Sequence, residues 1–195
     1  RPLSSIVTWV DTTPKDAFGE TQNDQGNYTN KTEAGLILAS LEKLVLNQEF
    51  QNLVKETGAQ DRIVGIISMY RSQVLMLRKL IAHSSVLAQY SHVIKVDTVD
   101  SYQGSENRFI FLSLVRDNPK NVIGFMRHKA RINVAMSRAQ DRLLIFGALR
   151  MFEGSNAETP LGKVLTYIRS HVDDGNYDLV LGAAVTDVFG NSNEK

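Results

Sequence analysis

Apolar, β-branched runs alternate along this chain with segments whose apolar residues recur every three or four positions, and this alternation restricts the fold more than any other feature. "SSIVTWV" (4–10), "RIVGIIS" (62–68), the runs at 93–97 and 108–115, and "RLLIFG" (142–147) have the length and β-branching of strands. In "RIVGIIS" consecutive positions are apolar, as in a parallel strand buried on both faces. Between these runs lie helical patterns. Ala34, Ile37, Leu38, Leu41, Leu44 and Val45 share one face, and Asn30 stands where an N-cap is needed, with Glu33 in the first turn. Val74, Leu77 and Ile81 have helical spacing within 71–82, and further helices are expected over 127–138 and 160–171. Residues 11–30 are polar, contain Gly19 and Gly26, and read as a loop. Strand–helix alternation of this kind predicts an α/β fold with a mostly parallel sheet and helices on both faces. Ligands of such folds bind beyond the C-terminal ends of the strands. One domain is expected over 1–172, followed by a Gly- and Asn-rich tail, 173–195, whose run "YDLVLGAAV" could add a further short strand.

Composition limits the chemistry. A chain of 195 residues has ample length for one core, and 43% hydrophobic with 22% charged residues is ordinary for a soluble globular domain. The net charge of +1 provides no global field for a polyanion, so any nucleic-acid binding must come from a local patch. With no cysteine there is no disulfide, thiolate metal site or Cys nucleophile, and His83, His92, His128 and His171 lack metal-ligand spacing. No apolar run approaches the roughly 20 residues of a membrane helix and no signal peptide is visible, so an intracellular protein is expected. The first residue is Arg, which fits a piece of something longer.

Two stretches carry chemistry. "DTVDSYQGSE" (97–106) connects two strand-like runs with far more polar groups than a turn requires. "RINVAMSRAQDRLLIFG" (131–147) places Arg131 and Arg138 along neighbouring faces of one helix that runs into a strand. That helix either keeps its basic face in water or points Arg138 into a cleft, where a guanidinium fork suits a phosphate. A P-loop is absent: Gly162-Lys163 is followed by Val164, and Ala157 stands where the first glycine belongs. Asp100 and Ser101 could equally cap a turn.

Three segments, in order, resemble the C-terminal half of superfamily 1 helicases, nearest to the branch that includes the nonsense-mediated-decay RNA helicase. "IVGIISMYRSQVLMLRKLI" (63–81) is similar to motif IV, "VDTVDSYQGSENRFIFLSLVR" (96–116) to motif V, and "IGFMRHKARINVAMSRAQDRLLIFG" (123–147) to motif VI. "NYTNKTEAGLI" (27–37) and "TPLGKVLTYI" (159–168) resemble the opening and closing helices of the same domain, so the resemblance covers about 5–170.

The resemblance implies the second of two RecA-like domains, with the P-loop NTPase fold. ATP would lie between the domains, and Mg²⁺ would be held mainly by the first, N-terminal RecA-like domain of the same chain. Arg138 matches the arginine finger. Gln103, Gly104 and Glu106 match the part of motif V at the nucleotide. Ser68, Tyr70, Thr98, Asp100 and Ser101 match positions facing single-stranded DNA or RNA. Arg131 and Asn133 match supporting positions, and Arg116 matches an arginine to which no role is assigned. The sequence departs from the family at Met69, where Pro is usual, and at Ser105 and Gln140-Asp141, where basic residues are common. The arginine motif upstream of the domain and all first-domain motifs are absent, so the chain alone should not hydrolyse ATP. A non-catalytic nucleic-acid-binding or regulatory module that kept the fold is the alternative.

Overall fold

The structure is a computed structural model and describes residues 5–57 and 62–182. Strand β1 (Val7–Asp11) is followed by a small antiparallel hairpin, β2 (Glu20–Gln22) and β3 (Tyr28–Asn30), and by helices α1 (Lys31–Leu46) and α2 (Gln48–Thr57). Then come β4 (Val64–Ser68), α3 (Arg71–His83), β5 (Ile94–Thr98) and β6 (Asn107–Ser113). The described chain closes with α4 (Lys129–Met136), β7 (Ala139–Gly147), α5 (Pro160–Ser170) and β8 (Tyr177–Leu181). Six strands form one sheet in the order β5-β4-β6-β7-β1-β8, and every pairing within it is parallel.

The continuous apolar runs have a direct cause: the sheet is covered on both faces. Phe109, Phe111, Leu144 and Phe146 turn to one face, beneath Ile37, Leu41 and Leu44 of α1 and Val74, Leu77 and Ile81 of α3. Ile110, Leu112, Leu143 and Ile145 turn to the other, beneath Ile132 and Ala135 of α4 and Leu161, Leu165 and Ile168 of α5. Steps toward β5 in the sheet order cross the α1/α3 face, and steps toward β8 cross the α4/α5 face. That division is what uniformly right-handed crossovers produce.

The segment read as a loop differs from the reading of the sequence. Residues 11–30 contain the β2–β3 hairpin, whose three-residue strands, Glu-Thr-Gln and Tyr-Thr-Asn, carry no apolar alternation to reveal them. The sixth strand, β8, lies beyond residue 172 and pairs with β1 from Val7↔Tyr177 to Asp11↔Leu181; the rest of the tail, 183–195, lies outside the described residues.

Asn30 caps α1 through a bond from the Glu33 amide to its Oδ1. The reciprocal half of a capping box is not formed. The Asn30 amide instead donates to Gln73 Oε1 of α3, and the Glu33 carboxyl crosses to the end of β6.

Candidate functional site

Residues 99–106 link β5 to β6, yet these strands are not neighbours, because β4 lies between them. The link therefore runs from the C-terminal edge of the sheet, over β4, to the N-terminal edge. A 3₁₀ turn at Asp100–Tyr102 replaces the usual crossover helix. Only the first half of the polar connection therefore lies beyond the C-terminal strand ends.

At the C-terminal edge, the Thr98 hydroxyl donates to Ser101 Oγ at 3.1 Å and accepts from the Ser101 amide at 3.4 Å. Asp100 and Ser101 are exposed. In the middle of the link Tyr102 is fully buried and donates its hydroxyl to Asn107 Oδ1 at 2.5 Å. Burial pushes that phenol far above its ordinary pKa. Gly65 of β4 makes room for it: a Cβ there would stand 2.1 Å from the Tyr102 oxygen. Gly104, at φ +82, then turns the chain, and Gln103, Gly104 and Glu106 are exposed at the N-terminal edge. Lys95 lies over the Tyr102 ring, 4.3 Å from its centre, and donates to Ser105 Oγ at 2.8 Å.

Helix α4 runs beside this link and joins the same two edges. Near its start, the Arg131 guanidinium sits 3.2 Å from Asp100 Oδ2. Just past its end, the Arg138 carbonyl accepts from the Asn107 amide at 3.0 Å, and Gln140 Nε2 reaches Glu106 Oε2 at 3.4 Å. The structure thus brings Gln103, Gly104, Glu106 and Arg138 to one edge, and Thr98, Asp100, Ser101 and Arg131 to the other. Asn133 is exposed on α4 between them. The Arg138 guanidinium folds back on its own helix, donating to the Val134 carbonyl at 3.1 Å and to Ser137 Oγ at 2.9 Å. Among the described residues it has no carboxylate partner. An open cavity of about 540 Å³ adjoins this edge, lined by Arg62, Lys95, Ser105, Glu106, Asn107, Arg108 and Gln140 among others. No group of three or more acidic or histidine side chains among the described residues is placed to hold a metal ion.

Two residues matched to the strand-facing side turn inward. Ser68 is fully buried, and its Oγ accepts from the Tyr70 amide at 3.3 Å. Tyr70 is 7% exposed and its hydroxyl accepts from Arg116 Nη1 at 3.3 Å; burial raises its pKa. Arg116 gains a role the sequence did not supply. It is buried, pairs with Glu20 Oε2 of β2 at 2.8 Å, and lies 4.1 Å from the centre of the Tyr28 ring. Burial alone would lower its pKa, but the bonds to Glu20 and Tyr70 outweigh that and raise it. The neighbouring Asp117 is buried and held by Arg150 Nε at 2.7 Å and by the Gly19 amide at 2.6 Å. These pairs fasten the β2–β3 hairpin to the C-terminal edge.

Sequence reasoning also missed what Glu33 does. Its carboxyl is fully buried, hydrogen-bonded to the Ser113 hydroxyl and, at 3.0 Å, to the amide of Val115, a residue held at φ +70. Burial pushes its pKa up to about 8, against the bonds from Ser113 and Val115 and with help from the Asp117 charge. The only sequence signal was a glutamate in the first turn of a helix, which normally serves as a cap.

Comparison with known proteins agrees with this architecture. Residues 1–150 match the AAA_12 family profile, described as an AAA domain. The chain is 33% identical over 147 residues to the DNA polymerase alpha-associated DNA helicase A of Saccharomyces cerevisiae, covering 75% of this chain and 20% of that protein. It is 34% identical over 151 residues to the DNA replication ATP-dependent helicase/nuclease dna2 of Schizosaccharomyces pombe, covering 77% and 10%. It is 33% identical over 147 residues to the regulator of nonsense transcripts 1 homolog of Arabidopsis thaliana, covering 74% and 11%. The chain therefore spans a fifth or less of the length of these relatives. With its parallel six-stranded sheet and its motif V and VI segments joining the two sheet edges, the chain belongs to the AAA_12 family and is a C-terminal RecA-like domain of the superfamily 1 helicase type.

Proposed function

We propose that this chain is the second motor domain of an ATP-dependent DNA or RNA helicase or translocase, and that it works only beside a P-loop domain of the same polypeptide. One observation carries the reading: residues 99–106 and α4 both run from one edge of the sheet to the other, and each ends at Arg138, Glu106 or their immediate neighbours. Arg138 supplies the arginine finger. Its guanidinium is held by a backbone carbonyl and a hydroxyl, weak partners that a phosphate would outcompete. Glu106 accepts hydrogen bonds only and suits a ribose hydroxyl, while Gly104 lets the backbone come close to a nucleotide. Gln103 lies beside them. The P-loop domain would hold ATP and, for the most part, Mg²⁺, which would supply charge neutralisation at the transferred phosphoryl group. At the opposite edge, the Thr98 and Ser101 hydroxyls would donate to strand phosphates without reading bases. Asp100 would release Arg131 toward the strand, and Ser68 and Tyr70 would support this edge from beneath.

The test is ATP hydrolysis by the polypeptide that joins this domain to its P-loop partner, with and without single-stranded DNA or RNA, beside Arg138→Ala. Loss of one transition-state arginine should cut turnover about 10³-fold or more. Strand-stimulated hydrolysis that survives in the variant would remove Arg138 from the mechanism. No hydrolysis in the parent would favour the binding-module alternative.

A further inference from the structure

We infer that Phe125 is a base-stacking platform that extends the strand-binding edge beyond motif V; the inference rests on the strand-binding reading above. Phe125 lies in the loop between β6 and α4, at the C-terminal edge, and is 46% exposed. A lone exposed aromatic means little, but this one is built in place. Its ring packs on Tyr70, 5.6 Å between centres, and Tyr70 packs edge-on against Tyr28 at 5.6 Å. Gly124 sets the approach. It holds φ +57, and a Cβ there would come within 2.7 Å of both Arg116 Nη1 and the Tyr70 oxygen. The buried Arg116–Tyr70 pair therefore forms the floor on which the loop rests, leaving part of the Phe125 ring in solvent.

Charge complementarity identifies the occupant. From Asn118 to Ala135 the chain carries four of its 22 basic residues, Lys120, Arg127, Lys129 and Arg131, and none of its 21 acidic ones. With a net charge of only +1, the remainder is net negative, so the positive field is concentrated here. Lys120, Arg127 and Lys129 are exposed and form no ion pair among the described residues. The Arg131 guanidinium lies over the Phe125 ring, 5.0 Å from its centre, so a base that stacks there displaces it or shares the ring with it; it also reaches Asp100, which joins this patch to the motif V edge. An exposed aromatic ring flanked by guanidinium and ammonium groups fits a single strand: a base stacks on Phe125 and the adjoining phosphates meet Arg127, Lys129 and Arg131. The partner is an unpaired nucleic-acid strand of either sugar, because a stacking ring does not read the 2′-hydroxyl.

The experiment is equilibrium binding of fluorescein-labelled oligodeoxythymidylate and oligouridylate to the full polypeptide over a range of salt, by fluorescence anisotropy. Phe125→Ala should raise Kd about 5- to 100-fold, and Phe125→Leu, which keeps the apolar packing on Tyr70 but lacks a flat π face, should lose most of the same affinity. Phe125→Trp should bind at least as tightly as the parent. The slope of affinity with salt should stay constant across the Phe125 variants and fall by about one in Lys129→Ala. If the parent binds strands and Phe125→Leu binds equally well, the platform is refuted while the motor reading stands. If the parent binds neither oligonucleotide, both fall together. A preference for one oligonucleotide that persists in Phe125→Ala assigns sugar discrimination to other residues and leaves the platform supported.

Discussion

The buried Glu33 carboxyl should impose a pH dependence on folding opposite in sign to the usual acidic residue. Its pKa rises from 4.5 to about 8 on folding because no water reaches it. A carboxyl whose folded pKa is raised contributes fully at pH below its unfolded value, and the contribution is lost as pH rises through the folded one. The window is therefore about pH 4.5 to about 8. Within it each pH unit costs roughly 1 kcal/mol, so between about pH 5.5 and about pH 7.5 the protein should lose roughly 2 kcal/mol from this group alone. The neutral carboxyl fits its surroundings: its Oε1 still accepts from the Ser113 hydroxyl and from the Val115 amide. Glu33→Gln keeps both bonds and cannot ionise. Urea unfolding of the parent and Glu33→Gln across this range isolates the term, since every other titrating group is common to both. The difference in unfolding free energy should shift toward the Gln variant by roughly 2 kcal/mol over those two units. Parallel curves would show that Glu33 does not hold a proton in the folded state, and the burial argument would be wrong.

Gly65→Ala should destabilise the fold by about 2 kcal/mol or more, because its Cβ would meet the Tyr102 oxygen at 2.1 Å and Ile110 Cδ1 at 2.6 Å. In a Tyr102→Phe background the cost should shrink, and a purely additive double-mutant cycle in urea unfolding would refute the assigned contact. Arg116→Ala leaves Glu20 partly buried without its cation and should cost about 3 kcal/mol. Arg116→Lys should recover little of that, since the fork to Glu20 and Tyr70 and the stack on Tyr28 need a guanidinium; a loss under about 1 kcal/mol by unfolding midpoint would show the pair to be ornamental to stability.

The sheet was legible because burial on both faces writes itself as uninterrupted apolar runs, and Asn30 was legible because capping is local. The partnerships that shape the C-terminal edge are not local. Arg116 finds Glu20 at a separation of 96 residues, and Glu33 finds Val115 at 82. Nothing in either flanking sequence marks such a pairing. The hairpin β2–β3 was hidden for a related reason: its polar strands are fixed by Arg116 and Asp117 from outside, not by a pattern of their own. The path of 97–106 was half legible. Its polarity announced function, but its direction depends on β4 lying between β5 and β6, and strand order is not written in the segment itself.

That order has a mechanical consequence. The link must pass two strand spacings sideways and the length of β4 along the sheet, roughly 19 Å on the diagonal at 4.8 Å per strand and 3.3 Å per residue. Residues 99–106 could reach roughly 28 Å fully extended, and the 3₁₀ turn within them shortens this to roughly 24 Å. Only a few ångströms of slack remain, and Tyr102 uses the middle of the span as an anchor on Gly65. A helix of ordinary crossover length could absorb a shift at one end by tilting. This link cannot: displacement of Asp100 and Ser101 by more than its slack must either unseat Tyr102 or move Gln103–Glu106. Tyr102 is bonded to Asn107, and the Asn107 amide to the Arg138 carbonyl, so the second route ends at the arginine. On the proposed reading, a strand pulling at one edge of the sheet and a nucleotide held at the other act on two ends of one short, taut segment. Their coupling then follows from chain length and strand order before any side chain is considered.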